Sequence, residues 1–130
     1  MATVRYLVSD VERSVAFYID QLGFEMVEQM GAAFARVQRG DLTLWLAGPQ
    51  SSAARPMPDG RQPTPGGWNR FVIEVEDLAE RVATLTVAGV TFRNAVVTGP
   101  GGKQILAEDP SGNVIELFEP SAMAKSVAVN

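Results

Sequence analysis

Residues 8–24, "VSDVERSVAFYIDQLGF", have a near twin in residues 75–90, "VEDLAERVATLTVAGV". In the first copy an alternating run from Thr3 to Val8 leads through Ser9-Asp10-Val11-Glu12-Arg13 into an amphipathic stretch ending at Leu22-Gly23. In the second, Arg70 to Val75 leads through Glu76-Asp77-Leu78-Ala79-Glu80-Arg81 to Ala88-Gly89. The offset is 67 residues at Asp10/Asp77 and 66 at Gly23/Gly89. That period is longer than a solenoid unit, so it describes a duplicated module whose two copies pack together. A duplicated sheet can curl around a cavity.

Each copy reads as strand, helix and three further strands. Val4, Tyr6 and Val8 alternate with Thr3, Arg5 and Leu7, as in a strand with one buried face. Ser9 or Asp10 can cap the following helix, with Glu12 completing a capping box. Val11, Val15, Tyr18, Ile19 and Leu22 recur at helical spacing, and Gly23 supplies the left-handed cap. Strands are predicted near Glu25–Gln29, Ala33–Gln38 and Leu42–Ala47, with Arg39-Gly40-Asp41 as a hairpin signal. In the second copy Asp77 and Glu80 cap a helix with Leu78, Val82 and Leu85 inside, and Gly89 ends it. Strands follow near Thr91–Val97, Gln104–Glu108 and Val114–Phe118. Gly99 to Gly102 and Asp109-Pro110-Ser111-Gly112-Asn113 read as turns. Gly99 to Lys103 reads as a flexible loop, because a phosphate cradle would need a strand before it and a helix after it.

The expected architecture is α+β: two βαβββ modules in one domain over residues 1–130, with curved mixed sheets forming a cleft and helices outside. Module 1 covers about 1–47 and module 2 about 68–120. The linker 48–67 holds five prolines and four glycines and suits a stiff flap over the cleft entrance. The tail 121–130 is weakly patterned and is expected to fray or to dock on a partner subunit.

Composition narrows the chemistry. The 130 residues include no cysteine and no histidine, which removes thiolates and imidazoles as metal ligands, nucleophiles and bases. The net charge of −4 with scattered cations sets nucleic acid aside as a partner and mildly favours a cationic ligand. No apolar run reaches the roughly 20 residues that span a bilayer, and the first residues lack the layout of a signal peptide, so a soluble cytoplasmic protein is expected, with no membrane partner.

On these motifs, together with "DPSGNVIELFEP" at residues 109–120, the chain resembles the vicinal oxygen chelate superfamily of glyoxalases, extradiol dioxygenases and bleomycin-resistance proteins, from about Thr3 to Pro120. Reactive members hold a divalent metal with one side chain from the first and one from the last strand of each module. The resemblance places those positions at Thr3, Trp45, Arg70 and Glu116. Only Glu116 is a ligand type, and one carboxylate beside a guanidinium cannot hold an ion that needs several donors at about 2.0–2.3 Å. The resemblance therefore implies the metal-free, bleomycin-resistance-like branch, with no cofactor and with a homodimer.

Parity independently sends these four positions to the cleft, together with Arg5, Glu74 and Val72. Trp45 offers a flat platform, Trp68 a second wall, and Arg70 and Glu116 one charge of each sign, either paired with each other or touching a ligand. Phe34, Arg36 and Gln104 are further candidates whose face the pattern leaves open. Two functions follow. One is sequestration, without reaction, of a small aromatic or cationic molecule such as an antibiotic or natural product. The other is a metal-independent lyase, isomerase or cyclase with Glu116 as base and Arg70 stabilising an oxyanion.

Overall fold

A computed structural model describes residues 2–122. The expected behaviour of the C-terminal tail falls, from residue 123 on, outside the described residues. The fold is α+β with two mixed sheets, one per sequence repeat. The chain divides into two compact units: one runs up to Trp68 and takes in Asp109–Asn113, and the other comprises Asn69–Glu108 and resumes at Val114.

The first unit contains β1 (Ala2–Leu7), α1 (Val11–Leu22), β2 (Glu25–Met30), β3 (Phe34–Arg39) and β4 (Leu42–Ala47). Its sheet order is β1-β4-β3-β2, with β1 parallel to β4 and the other pairs antiparallel. Of the two possible caps it is Asp10 that starts α1, its side chain accepting the Arg13 N–H at 3.0 Å. The helix ends at Gly23 with φ 73°, a left-handed residue where a Cβ would be strained. Val11, Val15, Tyr18 and Leu22 are buried as the helical spacing requires, and α1 packs on β3 and β4, where Val37, Leu44 and Leu46 are fully buried. Each such side chain contributes about 1.5–3 kcal/mol by leaving water. Ser14 is buried in the same row because its hydroxyl donates to the Asp10 carbonyl at 2.8 Å.

In the second unit β5 (Phe71–Glu74), α2 (Leu78–Val87), β6 (Thr91–Phe92), β7 (Val97–Gly99), β8 (Gly102–Glu108) and β9 (Val114–Pro120) form a sheet ordered β5-β9-β8-β6, with β7 also pairing β8. Asp77 caps α2 by accepting the Glu80 N–H, and Glu119 Oε1 takes the Leu78 N–H at 2.9 Å. Leu78 and Leu85 are buried, whereas Val82 is half-buried.

Two expectations are corrected here. The strand expected over Thr91–Val97 breaks after Phe92, because Asn94 Oδ1 accepts the Leu106 N–H at 3.0 Å and so replaces a backbone carbonyl in the ladder. The chain rejoins β8 at Val97. The turn expected over Gly99–Gly102 is a two-residue hairpin turn at Pro100-Gly101, with Gly99 opposite Gly102, and the reading of Gly99 to Lys103 as a flexible loop is corrected, since strand pairing resumes at Gly102. A Cβ on Gly102 would sit 2.1 Å from the Glu119 carbonyl oxygen, so close strand approach requires glycine there.

The turn Asp109–Asn113 is structural, as its composition indicated. Asp109 is buried, and its Oδ1 accepts the Ser111 and Asn113 N–H groups while Oδ2 accepts Asn113 Nδ2 and, at 2.8 Å, the Tyr18 hydroxyl. Asn113 also donates to the Leu7 carbonyl and accepts from Gly66 N, which ties the turn to the end of β1 and to the linker. No helix among the described residues is long and apolar enough to cross a membrane.

Burial, followed by the nearby Asp109 charge, pushes the Tyr18 phenol well above its ordinary value of 10.0. The folded state therefore keeps this proton where the unfolded chain has released it. The associated stability is complete below about pH 10 and is lost as pH rises beyond it. Chemical denaturation at stepped pH should show this loss from about pH 10 upward in the parent protein and a flatter limb in Tyr18→Phe. At neutral pH the same substitution should cost about 1–3 kcal/mol, because Asp109 loses a buried donor.

Candidate functional site

In the first unit the ladder aligns four side chains in one row across the sheet. Parallel pairing places Arg5 beside Trp45; the β3/β4 hairpin, turning at Gly40-Asp41, places Arg36 on the other flank; β2 places Glu28 beyond Arg36. The Arg5 guanidinium carbon lies 4.9 Å from the indole centroid and that of Arg36 lies 4.8 Å from it, close to the spacing of adjacent strands. Phe34 meets Trp45 edge-on at 5.8 Å and lies within 5.9 Å of both guanidiniums. Each cation–π contact is worth about 0.5–1 kcal/mol at exposed sites and more where water is excluded. Arg36 also pairs with Glu28 at 2.7 Å, while its Nε is buried without a hydrogen-bond partner.

The flat platform expected at Trp45 already carries cations of the protein itself. The indole is half-buried, and its flanks are already taken by two protein guanidiniums. Parity had placed Arg5 and Trp45 on one face, and the register adds Phe34 and Arg36 to it. Sequence reasoning could not settle those two, because the face of β3 depends on the length of its turn into β4.

Two residues further along the same strands, Leu7 and Ala47 form part of a cleft of ≈ 160 Å³ closed by Pro49, Ala54, Gln62, Pro63 and Pro65. The linker therefore packs over the ends of β1 and β4. It is held by a short 3-10 turn at Ser52–Ala54, by Gln62 Nε2 donating to the Ala54 carbonyl at 2.8 Å, and by the Gly66–Asn113 hydrogen bond. Trp68, at its end, is 67% exposed.

In the second unit Val72, Glu116 and Leu106 form the equivalent row, with Glu74, Phe118 and Gln104 beside it on the same face. Glu116 is only 8% exposed. From just before β5, Arg70 donates to it through Nε at 3.0 Å and Nη2 at 2.9 Å, both to Oε1. Of the two alternatives left open for this pair, the ion pair is the one observed. A second pair on this sheet, Arg93 Nε to Glu108 Oε2 at 2.8 Å, was missed from the sequence, because it depends on the pairing of β6 with β8.

The four positions matched to the superfamily's metal ligands do not fit a metal. Trp45 is enclosed by cations and Glu116 is bound by one, and among the described residues no three acidic side chains converge. A carboxylate engaged by two guanidinium N–H groups is also poorly placed to abstract a proton from a substrate.

Residues 1–117 match the family profile described as the Glyoxalase/Bleomycin resistance protein/Dioxygenase superfamily. Among solved structures, a member of that superfamily from Sphaerobacter thermophilus aligns with a TM-score of 0.72 at 31% identity, covering 92% of this chain and 95% of its own. An antibiotic-binding protein from Streptomyces sp. CB03234 aligns at 0.69 and 28% identity, covering 92% and 93% respectively. A lactoylglutathione lyase from Agrobacterium tumefaciens, at 0.70 and 24% identity over 92% of each chain, shares the fold. No curated protein matches the chain in sequence. One scaffold thus carries both a binder and a lyase, and the site has to decide between them.

Removing Arg70 strands a largely buried carboxylate. Arg70→Met should therefore destabilise the protein by about 2–3 kcal/mol in urea denaturation, whereas Arg70→Met combined with Glu116→Leu should recover most of the loss.

Proposed function

Because this chain belongs to the glyoxalase/bleomycin resistance protein/dioxygenase superfamily, we propose that it binds and sequesters a small aromatic molecule, an antibiotic or other natural product, without a metal and without transforming it. The observation that carries this reading is the Arg70–Glu116 ion pair: the one acid at the four matched positions is already engaged by a cation. In this proposal the candidate ligand contacts are Arg5, Phe34, Trp45 and Trp68 within the first unit and, taking the second unit by itself, Arg70, Glu74, Gln104 and Glu116. In this proposal the protein works as a homodimer, as the family resemblance implies. Similarity to the Streptomyces relative named as an antibiotic binding protein supports the ligand class by analogy.

The enzymatic alternative asks Glu116 to act as a base and Arg70 to stabilise an oxyanion at the same time. The two groups are bonded to each other, so a substrate would first have to separate them, and the geometry favours sequestration. Titration of tryptophan fluorescence with a panel of antibiotics and aromatic natural products should give saturable quenching, unaffected by chelators, with the ligand recovered intact by mass spectrometry. Turnover of any ligand, or stoichiometric bound metal needed for binding, would overturn the proposal.

A further inference from the structure

The indole of Trp45 is flanked by Arg5 on β1 and Arg36 on β3, and these guanidiniums differ in what their N–H edges do. Arg36 gives Nη1 to Glu28, and its Nε is buried with no partner. Arg5 is exposed; its contacts are the ring faces of Trp45 and Phe34, at 4.9 and 5.9 Å. Neither ring contact is a hydrogen bond, and among the described residues none of the Arg5 N–H donors has a hydrogen-bond partner. A carboxylate is the group whose geometry matches that fork of donors.

The surroundings supply the rest of the ligand. Phe34 stands opposite Ala47, and Ala47 and Leu7 each lie two residues, about 7 Å, along their strands from Trp45 and Arg5. Ala47 and Leu7 line the ≈ 160 Å³ cleft, whose other walls include Pro49, Ala54, Pro63 and Pro65. That volume lies below the few hundred Å³ of drug-sized pockets, so the cleft suits one end of a ligand. We propose that this face of the first unit recognises an aromatic carboxylate, its anionic head on the Arg5 fork, its ring beside Phe34 and its apolar end in the cleft. This rests on the small-molecule-binding reading above and narrows it: the favoured ligand is anionic, even though the net charge of the chain is −4. A cationic ligand would meet two guanidiniums of its own sign.

Three naphthalenes of nearly the same shape separate the possibilities by isothermal titration calorimetry: 2-naphthoate, neutral 2-naphthamide and cationic 2-naphthylmethylamine. Naphthoate should bind about tenfold or more tightly than the amide, the worth of a charge-assisted hydrogen bond. Added salt should erode the difference, and Arg5→Met should abolish it. Naphthoate binding no tighter than the amide, a preference for the amine, or an anion preference that survives in Arg5→Met would overturn the inference. If the amide or the amine still binds in those cases, the sequestration reading stands without it. If none of the three binds, the anion site is refuted, and sequestration is judged by the natural-product panel alone.

Discussion

The constraint on which everything else rests is the two-residue period of the strands. In each unit a parallel pair, β1 with β4 and β5 with β9, supplies one face for burial. Leu44, Leu46, Ile115 and Leu117 are fully or almost fully buried on that face. Once those residues are committed inward, Arg5 and Trp45 in one unit and Val72 and Glu116 in the other must point the opposite way. A slip of one residue in either strand would put aliphatic side chains on the ligand face and charges in the core. The site is thus positioned by the same hydrophobic term that stabilises the fold.

What stands at the matched positions is electrostatically self-contained in two different ways. In the second unit Glu116, largely removed from water, is neutralised by Arg70, so charge of each sign is present but already spoken for. In the first unit the charges beside Trp45 are guanidiniums, and of Arg5 and Arg36 it is Arg36 that has an acidic partner, Glu28. There the indole quadrupole offsets part of the cost of placing two cations within about 5 Å of one ring. The result is a positive edge on a protein that is acidic overall.

The buried carboxylate of Asp109 plays a purely structural part. It satisfies two backbone N–H groups, an amide and the Tyr18 phenol, and each of these would be costly to leave unpaired in the interior. Through Asn113 the same turn reaches the Leu7 carbonyl and the linker at Gly66. The proline-rich linker, which has no apolar period of its own, is held by these polar bonds and by packing at the ends of β1 and β4, where it shapes the cleft.

The duplication, the two helices with their caps, and the inward and outward parity of the first and last strands of each repeat were legible in the chain, because each depends on local spacing: 3.6 residues for a helix, two for a strand, a carboxylate before the first turn. The lack of histidine and cysteine likewise excluded most metal and nucleophile chemistry without any structure. The break after Phe92, the Arg93–Glu108 pair and the placing of Phe34 and Arg36 beside Trp45 were not legible, since each depends on which residue of one strand stands opposite which residue of another. Residue type alone made Trp45 a flat platform. Only the tertiary structure decided that its flanks are occupied, because strand order brought Arg5 and Arg36, 31 positions apart in sequence, to either side of one ring.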